Sequence, residues 1–139
     1  MDFFTAADVL ASGLTAERTL MNTTSSNLAN AQTTRTQEGG PYKRLDPVFE
    51  TKATFNEELD AQLAPGVSVS EIRSDGSAPR IVHDPGHPDA DKDGNVALPN
   101  VNMVEEMVNM IQASRAYEAG VKAMGTLSAM AERAIGIGK

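Results

Sequence analysis

All seven prolines of this chain fall between Pro41 and Pro99, so residues 1–40 and 100–139 contain none. Proline removes a backbone donor and clashes with the preceding turn, which makes it the strongest single block to helix continuation. The two ends are therefore free to be helical, and the middle is punctuated. The ends also carry apolar residues at three-and-four spacing, which the middle lacks. At 139 residues the chain is one domain, or one small domain with appendages. Its 40% apolar content and six aromatic residues argue against a large single core.

Charge follows the same partition. Of the net −7, residues 1–40 carry −2, residues 41–100 carry −5, and residues 101–139 sum to zero. The acidic middle is expected to face solvent and the neutral ends to form buried interfaces. With no basic cluster, binding to nucleic acid is not expected, because that rests on phosphate neutralisation. There is no cysteine, which excludes disulfides and thiolate metal sites. No run approaches the roughly 20 apolar residues that span a bilayer, so no direct membrane span is expected. Lys and Arg are absent before Arg18 and no long apolar core follows, so no cleavable signal peptide is read. The chain is then cytoplasmic, or leaves by a route that needs no such signal.

The N-terminal helix is expected to start near Phe4, with Thr5 as cap, Asp8 as acidic partner, and Phe4 and Val9 as a hydrophobic staple. Ala7, Leu10, Leu14, Met21, Leu28 and Ala31 follow a three-and-four rhythm that Glu17 and Thr24 interrupt. Propensity falls along this segment. Gly13 costs up to about 1 kcal/mol relative to alanine. Thr19, Asn22, Thr23, Thr24, Ser25, Ser26, Asn27 and Asn30 compete with the backbone for hydrogen bonds. Such a helix is expected to order only against a partner.

The C-terminal helix is the better specified. Pro99 ends the preceding segment, Asn102 caps, and Glu105 and Glu106 sit in the first turn. Gly136 and Gly138 suggest a stop. Met103, Met107, Met110, Ser114, Tyr117, Val121, Met124, Ser128, Ala131 and Ile135 keep four-three spacing over more than four heptads. Val104, Val108 and Ile111 form a second stripe early on. Ala113, Ala116, Gly120, Ala123, Leu127, Met130 and Ala134 form another on the opposite flank. The combined arc is wider than one coiled-coil partner needs, so contact with more than one neighbour is expected. Helices of about 27 and 35 residues would be roughly 40 and 52 Å long. A compact globule of this size is roughly 37 Å across, so the molecule should be elongated.

The middle reads as a small β-rich module. Val67–Arg73 and Ala78–His83 flank Ser74-Asp75-Gly76-Ser77, the pattern of a hairpin. Tyr42–Lys52 and Val96–Leu98 suggest further strands, and Thr54–Leu63 a short helix or loop. Asp89-Ala90-Asp91-Lys92-Asp93-Gly94-Asn95 looks like half of a calcium loop, with Asp89, Asp91 and Asp93 as candidate ligands. The twelfth position, which should supply a bidentate glutamate, is Asn100, and the incoming helix is blocked by Pro85 and Pro88. A solvated acidic turn is the reading preferred. His83 and His87 share no helix face across Pro85 and Gly86. No metal, no cofactor and no catalytic residues are expected.

Ser25-Ser26-Asn27-Leu28-Ala29-Asn30-Ala31 with Thr33 and Thr34 resembles the N-terminal signature of the bacterial flagellar basal-body rod and hook proteins. Gly39-Gly40-Pro41-Tyr42-Lys43-Arg44, the loop Asp89 to Val96 with Pro99-Asn100-Val101, Glu105-Glu106-Met107-Val108, and Ser114-Arg115-Ala116-Tyr117-Glu118-Ala119 are similar to rod proteins too. The resemblance runs in order over nearly the whole chain. It implies a mainly α fold with a small β insert, the two terminal helices pairing as an elongated antiparallel hairpin or coiled coil. It implies an inner-tube segment at residues 1–36, a β-rich outer segment at 37–99, and a second inner-tube segment at 100–139. It also implies a structural, non-enzymatic subunit that assembles with itself and other rod proteins into a hollow, torque-transmitting shaft in the periplasm. Export would run through the flagellar type III apparatus without cleavage. The expected assembly interface is Leu10, Leu14, Met21, Leu28, Met103, Met107, Met110, Tyr117, Val121, Met124 and Ile135. The expected junction motif is Ser26, Asn27, Leu28, Ala29 and Asn30, hydrogen-bonding backbone where the first helix ends. A calcium-binding module or a coiled-coil adaptor is the alternative.

Overall fold

The computed structural model describes residues 3–52 and 66–137. In chain order these form helix α1 (Phe3–Ala29), strands β1 (Leu45–Lys52), β2 (Gly66–Ser74), β3 (Arg80–His83) and β4 (Asn95–Leu98), and helix α2 (Met103–Ile137). The proline-free ends are thus the two helices, of 27 and 35 residues, about 40 and 52 Å long at 1.5 Å per residue. The middle is two separate two-stranded antiparallel sheets, β1–β2 and β3–β4.

α1 accommodates its hydroxyl-rich sequence by folding those groups back on itself. Thr15, Thr19 and Thr23 each donate to the carbonyl four residues earlier, at 2.9, 3.0 and 2.9 Å. The groups that would compete for backbone bonds in the open chain are satisfied inside the helix instead. The helix is already under way at Phe3, so Thr5 lies within it and is not its cap. At the far end Asn30 Nδ2 donates to Ser26 O at 2.9 Å and Thr33 Oγ1 to Asn30 Oδ1 at 3.2 Å.

α2 starts as its sequence indicates. Asn102 Oδ1 accepts from the amides of Val104 at 3.1 Å and Glu105 at 3.4 Å, and Asn102 O accepts from Glu106 N at 3.0 Å. The helix continues through Gly136 to Ile137, so Gly136 does not end it.

The two helices run side by side in opposite directions, because Asn27 meets Glu106 at one level and Leu14 meets Gly120 at another. Gly120 leaves the space that the Leu14 side chain of α1 occupies. A Cβ at this position would lie 2.8 Å from Leu14 Cδ2 and 3.3 Å from its Cγ. The β1–β2 pair lies along α1. Its near end is held at Asn27 through Leu45, and its far end at Ser12, whose Oγ accepts from Val67 N at 3.0 Å while donating to Val9 O at 2.7 Å. α1 is therefore packed by α2 and by both strands of that sheet.

The middle departs from the sequence reading in its strand pairing and in where its first strand starts. No hairpin joins Val67–Arg73 to Ala78–His83. β2 pairs with β1, in a register running from Leu45 opposite Ser74 to Lys52 opposite Gly66, with a bulge at Val48/Phe49. β3 pairs with β4, Arg80 opposite Leu98. A tight Asp-Gly hairpin of type I′ needs positive φ at both central residues; neither Asp75 nor Gly76 has it. Asp75 Oδ1 instead accepts from Ser77 N at 2.8 Å and Ser77 Oγ at 2.6 Å, an Asx turn that hands the chain from one sheet to the other. Those two bonds, the side-chain one first, hold the Asp75 carboxyl below its ordinary pKa. The strand expected over Tyr42–Lys52 begins at Leu45. The element expected at Thr54–Leu63 lies outside the described residues.

The close contact at Gly120 makes a prediction. Gly120→Val overpacks the helix interface and should lower stability by about 1–3 kcal/mol. Leu14→Ala combined with Gly120→Val should recover part of that loss. Urea unfolding followed by circular dichroism reads both.

Candidate functional site

Among the described residues the most buried groups are few and mostly small or polar. Ala16, Ala31, Pro47, Val96, Pro99 and Ala113 are the buried apolar residues, and Thr23, Thr24, Asn27 and Glu106 the buried polar ones. Glu106 and Asn27 are each only 1% exposed. A carboxylate in that position costs several kcal/mol unless it is paired and hydrogen-bonded, so its partners define the site.

Glu106 Oε1 accepts from Arg44 Nε at 2.6 Å, and Oε2 accepts from Asn27 Nδ2 at 3.1 Å. The other Nδ2 proton goes to Leu45 O at 2.8 Å. Asn27 Oδ1 accepts from Leu45 N at 2.8 Å and from the Tyr42 hydroxyl at 2.9 Å. Asn27 thus uses two donors and two acceptor sites, the full capacity of an amide, and its paired bonds to Leu45 imitate a β-ladder rung. Ser26 Oγ lies 3.4 Å from the same Tyr42 hydroxyl. Arg44 also reaches Asp46 at 3.5 Å through Nη1, and its amide donates to Asn100 Oδ1 at 3.2 Å. Burial of the Arg44 guanidinium pulls its pKa down. The hydrogen bond and charge of Glu106, with Asp46 and Glu105, outweigh this and leave it raised. Asn100 Nδ2 is buried without a hydrogen-bond partner.

Each segment is steered into this cluster locally. α1 ends just past Asn27. Residues 33–42 form a loop closed by Tyr42 N to Thr33 O at 3.0 Å and Thr36 N to Gly40 O at 2.9 Å. Gly39 and Gly40 take φ of 88° and 73° there, a region that side chains disfavour. That loop delivers Tyr42, Arg44 and Leu45 to Asn27. The Asn102 cap delivers Glu106 from the other side. A groove of about 360 Å³ adjoins the cluster, with Glu17, Thr24 and Gln112 in its walls. No nucleophile–base pair lies within it; it is a joint, where the two helices and the first strand are fastened together.

The acidic loop is built differently from an ion site. Asp91 Oδ1 accepts from the amides of Asp93 and Asn95, both at 2.8 Å. Asp89 accepts from Thr34 Oγ1 at 2.8 Å and faces Arg35 at 3.9 Å. Gly94 has φ 76°, and a Cβ there would lie 3.0 Å from both His83 Cε1 and Pro85 Cγ. The carboxylates fold the loop and tie it to the chain that follows α1. Among the described residues no group of three or more His, Asp or Glu side chains is placed to hold a metal.

The helix positions read as an assembly interface divide in two. Leu10, Leu14, Met21 and Leu28 on α1 and Met110, Tyr117 and Met124 on α2 are half-buried, whereas Met103, Met107, Val121 and Ile135 are exposed.

Comparison with known proteins decides the family. A family model described as "Flagella basal body rod protein" matches residues 8–36, and one described as "Flagellar basal body rod FlgEFG protein C-terminal" matches residues 92–137. The chain is similar to the flagellar basal-body rod protein FlgC of Borreliella burgdorferi, with 40% identity covering 99% of this chain and 98% of the relative. The FlgC proteins of Aquifex aeolicus, at 44% identity over 96% and 95%, and Bacillus subtilis, at 40% over the full length of both, are similar too. The chain belongs to the flagellar basal-body rod protein family.

Within this rod protein, the two family-matched stretches hold Asn27 and Glu106, while Arg44 lies between them. The sequence reading placed Asn27 at a junction but missed its partners. Glu106 reads as a first-turn acid facing the helix dipole, and Arg44 only as the last residue of the Gly39–Arg44 stretch that resembles the family. No spacing rule links residues 62 apart in sequence; only the placement of both inside stretches resembling the family marked them.

Asn27→Asp keeps the side chain's shape but replaces the Nδ2 donor with an acceptor oxygen that faces two acceptors, Leu45 O and Glu106 Oε2. It should destabilise the monomer by about 2–3 kcal/mol. Glu106→Ala, which strands Arg44, should cost about 3–5 kcal/mol. Asp89→Asn, at an exposed pair, should cost under about 1 kcal/mol. Denaturant midpoints of the three variants check the ranking.

Proposed function

We propose that this chain is a structural subunit of the flagellar basal-body rod, assembling through its terminal helices into a hollow helical shaft. The observation that carries this is an inverted distribution of side chains. The fully buried groups on the helices are small or polar and the larger apolar side chains between them only half-buried, while further large apolar residues point outward, among them Phe4 at 76%, Val104 at 65% and Met130 at 63% exposed. The accessible surface is 9912 Å², against roughly 6,900 Å² for a compact protein of this mass. The excess is several times the ~800 Å² that one partner contributes to a standard interface. Surface of that kind belongs to a subunit with more than one neighbour.

In this reading α1 and α2 pair as an elongated antiparallel hairpin of coiled-coil type. Residues 1–36 and 100–139 form the inner tube, and residues 37–99 the outer part. The neighbours are further copies and other rod proteins, and the packed helices carry torque along the shaft. Among the described residues no helix is long and apolar enough to cross a membrane; in this reading the chain passes through the flagellar export apparatus to the periplasm. The relatives are named as rod proteins and not as enzymes. Neither rival explains the exposed apolar surface, which a calcium module does not need and a two-stranded adaptor would cover.

The test is complementation. In a flagellated bacterium lacking its own copy, the wild-type chain should restore swimming and a complete rod by electron microscopy. Met107→Asp with Val108→Asp, on a surface that the monomer leaves open, should keep the monomer fold and abolish the rod. Normal rods from that variant, or a wild-type chain that never enters them, would contradict the reading.

A further inference from the structure

Two residues interrupt the apolar rhythm of α1, Glu17 and Thr24, and both stand in the wall of the groove of about 360 Å³ beside the joint. Seven residues apart, they share one face of the helix, about 10.5 Å from each other along its axis. Neither has a partner among the described residues. Glu17 is half-buried and makes no ion pair or hydrogen bond. The residues one turn away on its own helix are Gly13, Leu14, Leu20 and Met21, none of them cationic. The cation in the groove wall is Arg44, which Glu106 at 2.6 Å and Asp46 at 3.5 Å already engage. The groove thus carries three carboxylates against one guanidinium, and Glu17 is the one left over. Thr24 is 2% exposed. Thr15, Thr19 and Thr23 return their hydroxyls to the carbonyl four residues back, but the Thr24 hydroxyl makes no such bond and no other. It is not sealed in, because Asn100 Nδ2 is the one fully enclosed, unpartnered side-chain atom among the described residues. The little surface Thr24 keeps therefore includes its hydroxyl, which opens on the groove. A hydroxyl so placed is unfavourable until a polar group reaches it.

We infer that this groove receives a segment of a partner protein that places a lysine or arginine against Glu17. This rests on the rod reading above and gives one of the subunit's contacts its chemistry. The excess of negative charge selects a basic side chain, and half-burial makes the resulting pair stronger than an exposed one. Leu20, Ala113 and Ala116 supply apolar wall for the aliphatic stem of such a side chain. A single bound ion does not meet both unsatisfied groups, because they are two helical turns apart. An extended segment covers that span in about three residues, so a second polar group on it reaches Thr24.

The test is a competition. Full-length wild-type and Glu17→Gln chains are expressed together at equal levels in a flagellated bacterium lacking its own copy, and their ratio in purified basal bodies is read by mass spectrometry. Wild type should exceed the variant about tenfold or more. The urea midpoints of the two monomers should coincide, since no described residue pairs with Glu17 in the monomer. Glu17→Lys should be excluded from rods, and Glu17→Asp should recover part of the wild-type share. Carbodiimide with glycine ethyl ester, which amidates accessible carboxylates, should label Glu17 in the free monomer and spare it in basal bodies. Three results overturn the inference and leave the rod reading standing: equal incorporation of Glu17→Gln, a Glu17→Leu chain that enters rods as well as wild type, or Glu17 labelled as readily in basal bodies as in the monomer. A lowered midpoint for the Glu17→Gln monomer overturns it too, by placing the carboxylate's partner inside the chain. A wild-type chain that never enters rods overturns the rod reading itself.

Discussion

A single carboxylate, that of Glu106, sets the terms for the rest of the molecule. Withdrawn from water, it is tolerable only while Arg44 and Asn27 both face it. Those partners come from the stretch leading into β1 and from the end of α1. The carboxylate's stability therefore requires three segments, far apart in sequence, to be in place at once. Asn27 extends the requirement by spending its remaining bonds on Leu45 and Tyr42. The joint is thus specified by polar satisfaction rather than by apolar burial. A chain with so small an apolar core has little else with which to fix the angle between its helices and its outer part.

The rest of the helix pair follows from that economy. Gly120 makes room for the Leu14 side chain, Ala113 and Ala16 are buried without bulk, and the threonines of α1 turn their hydroxyls back onto their own helix. Bulky apolar groups are left over on the outside. In a protein meant to remain alone this would be a liability; in the rod subunit we propose it would be the binding surface. On that proposal the interior of the monomer settles geometry while its exterior supplies adhesion.

Much of this was legible in the sequence, because helices are local. The proline partition, the Asn102 cap and the three-and-four rhythm depend on neighbours in the chain, and the two helices appear with the lengths they imply. The heptad row through Met110, Tyr117 and Met124 faces inward, but the same row at Met103, Met107 and Ile135 faces out. Periodicity identifies a face without saying which partner covers it. The Asp75-Gly76 turn was misread because the dipeptide serves equally as a tight hairpin or an Asx turn, and only the competing strand β1 decides. The Arg44–Glu106 pair was illegible for a simpler reason: a charge in sequence looks the same whether it ends in water or in a joint.

Native-state hydrogen exchange on the free monomer tests the central claim most directly. If the polar joint anchors the fold, the Leu45 amide and the backbone of residues 20–29 and 103–113 should exchange slowest and open together as one unit. Protection should fall away along α1 toward Phe4. A fast-exchanging Leu45 amide, or protection greatest at the level of Leu14 and Gly120, would contradict the account.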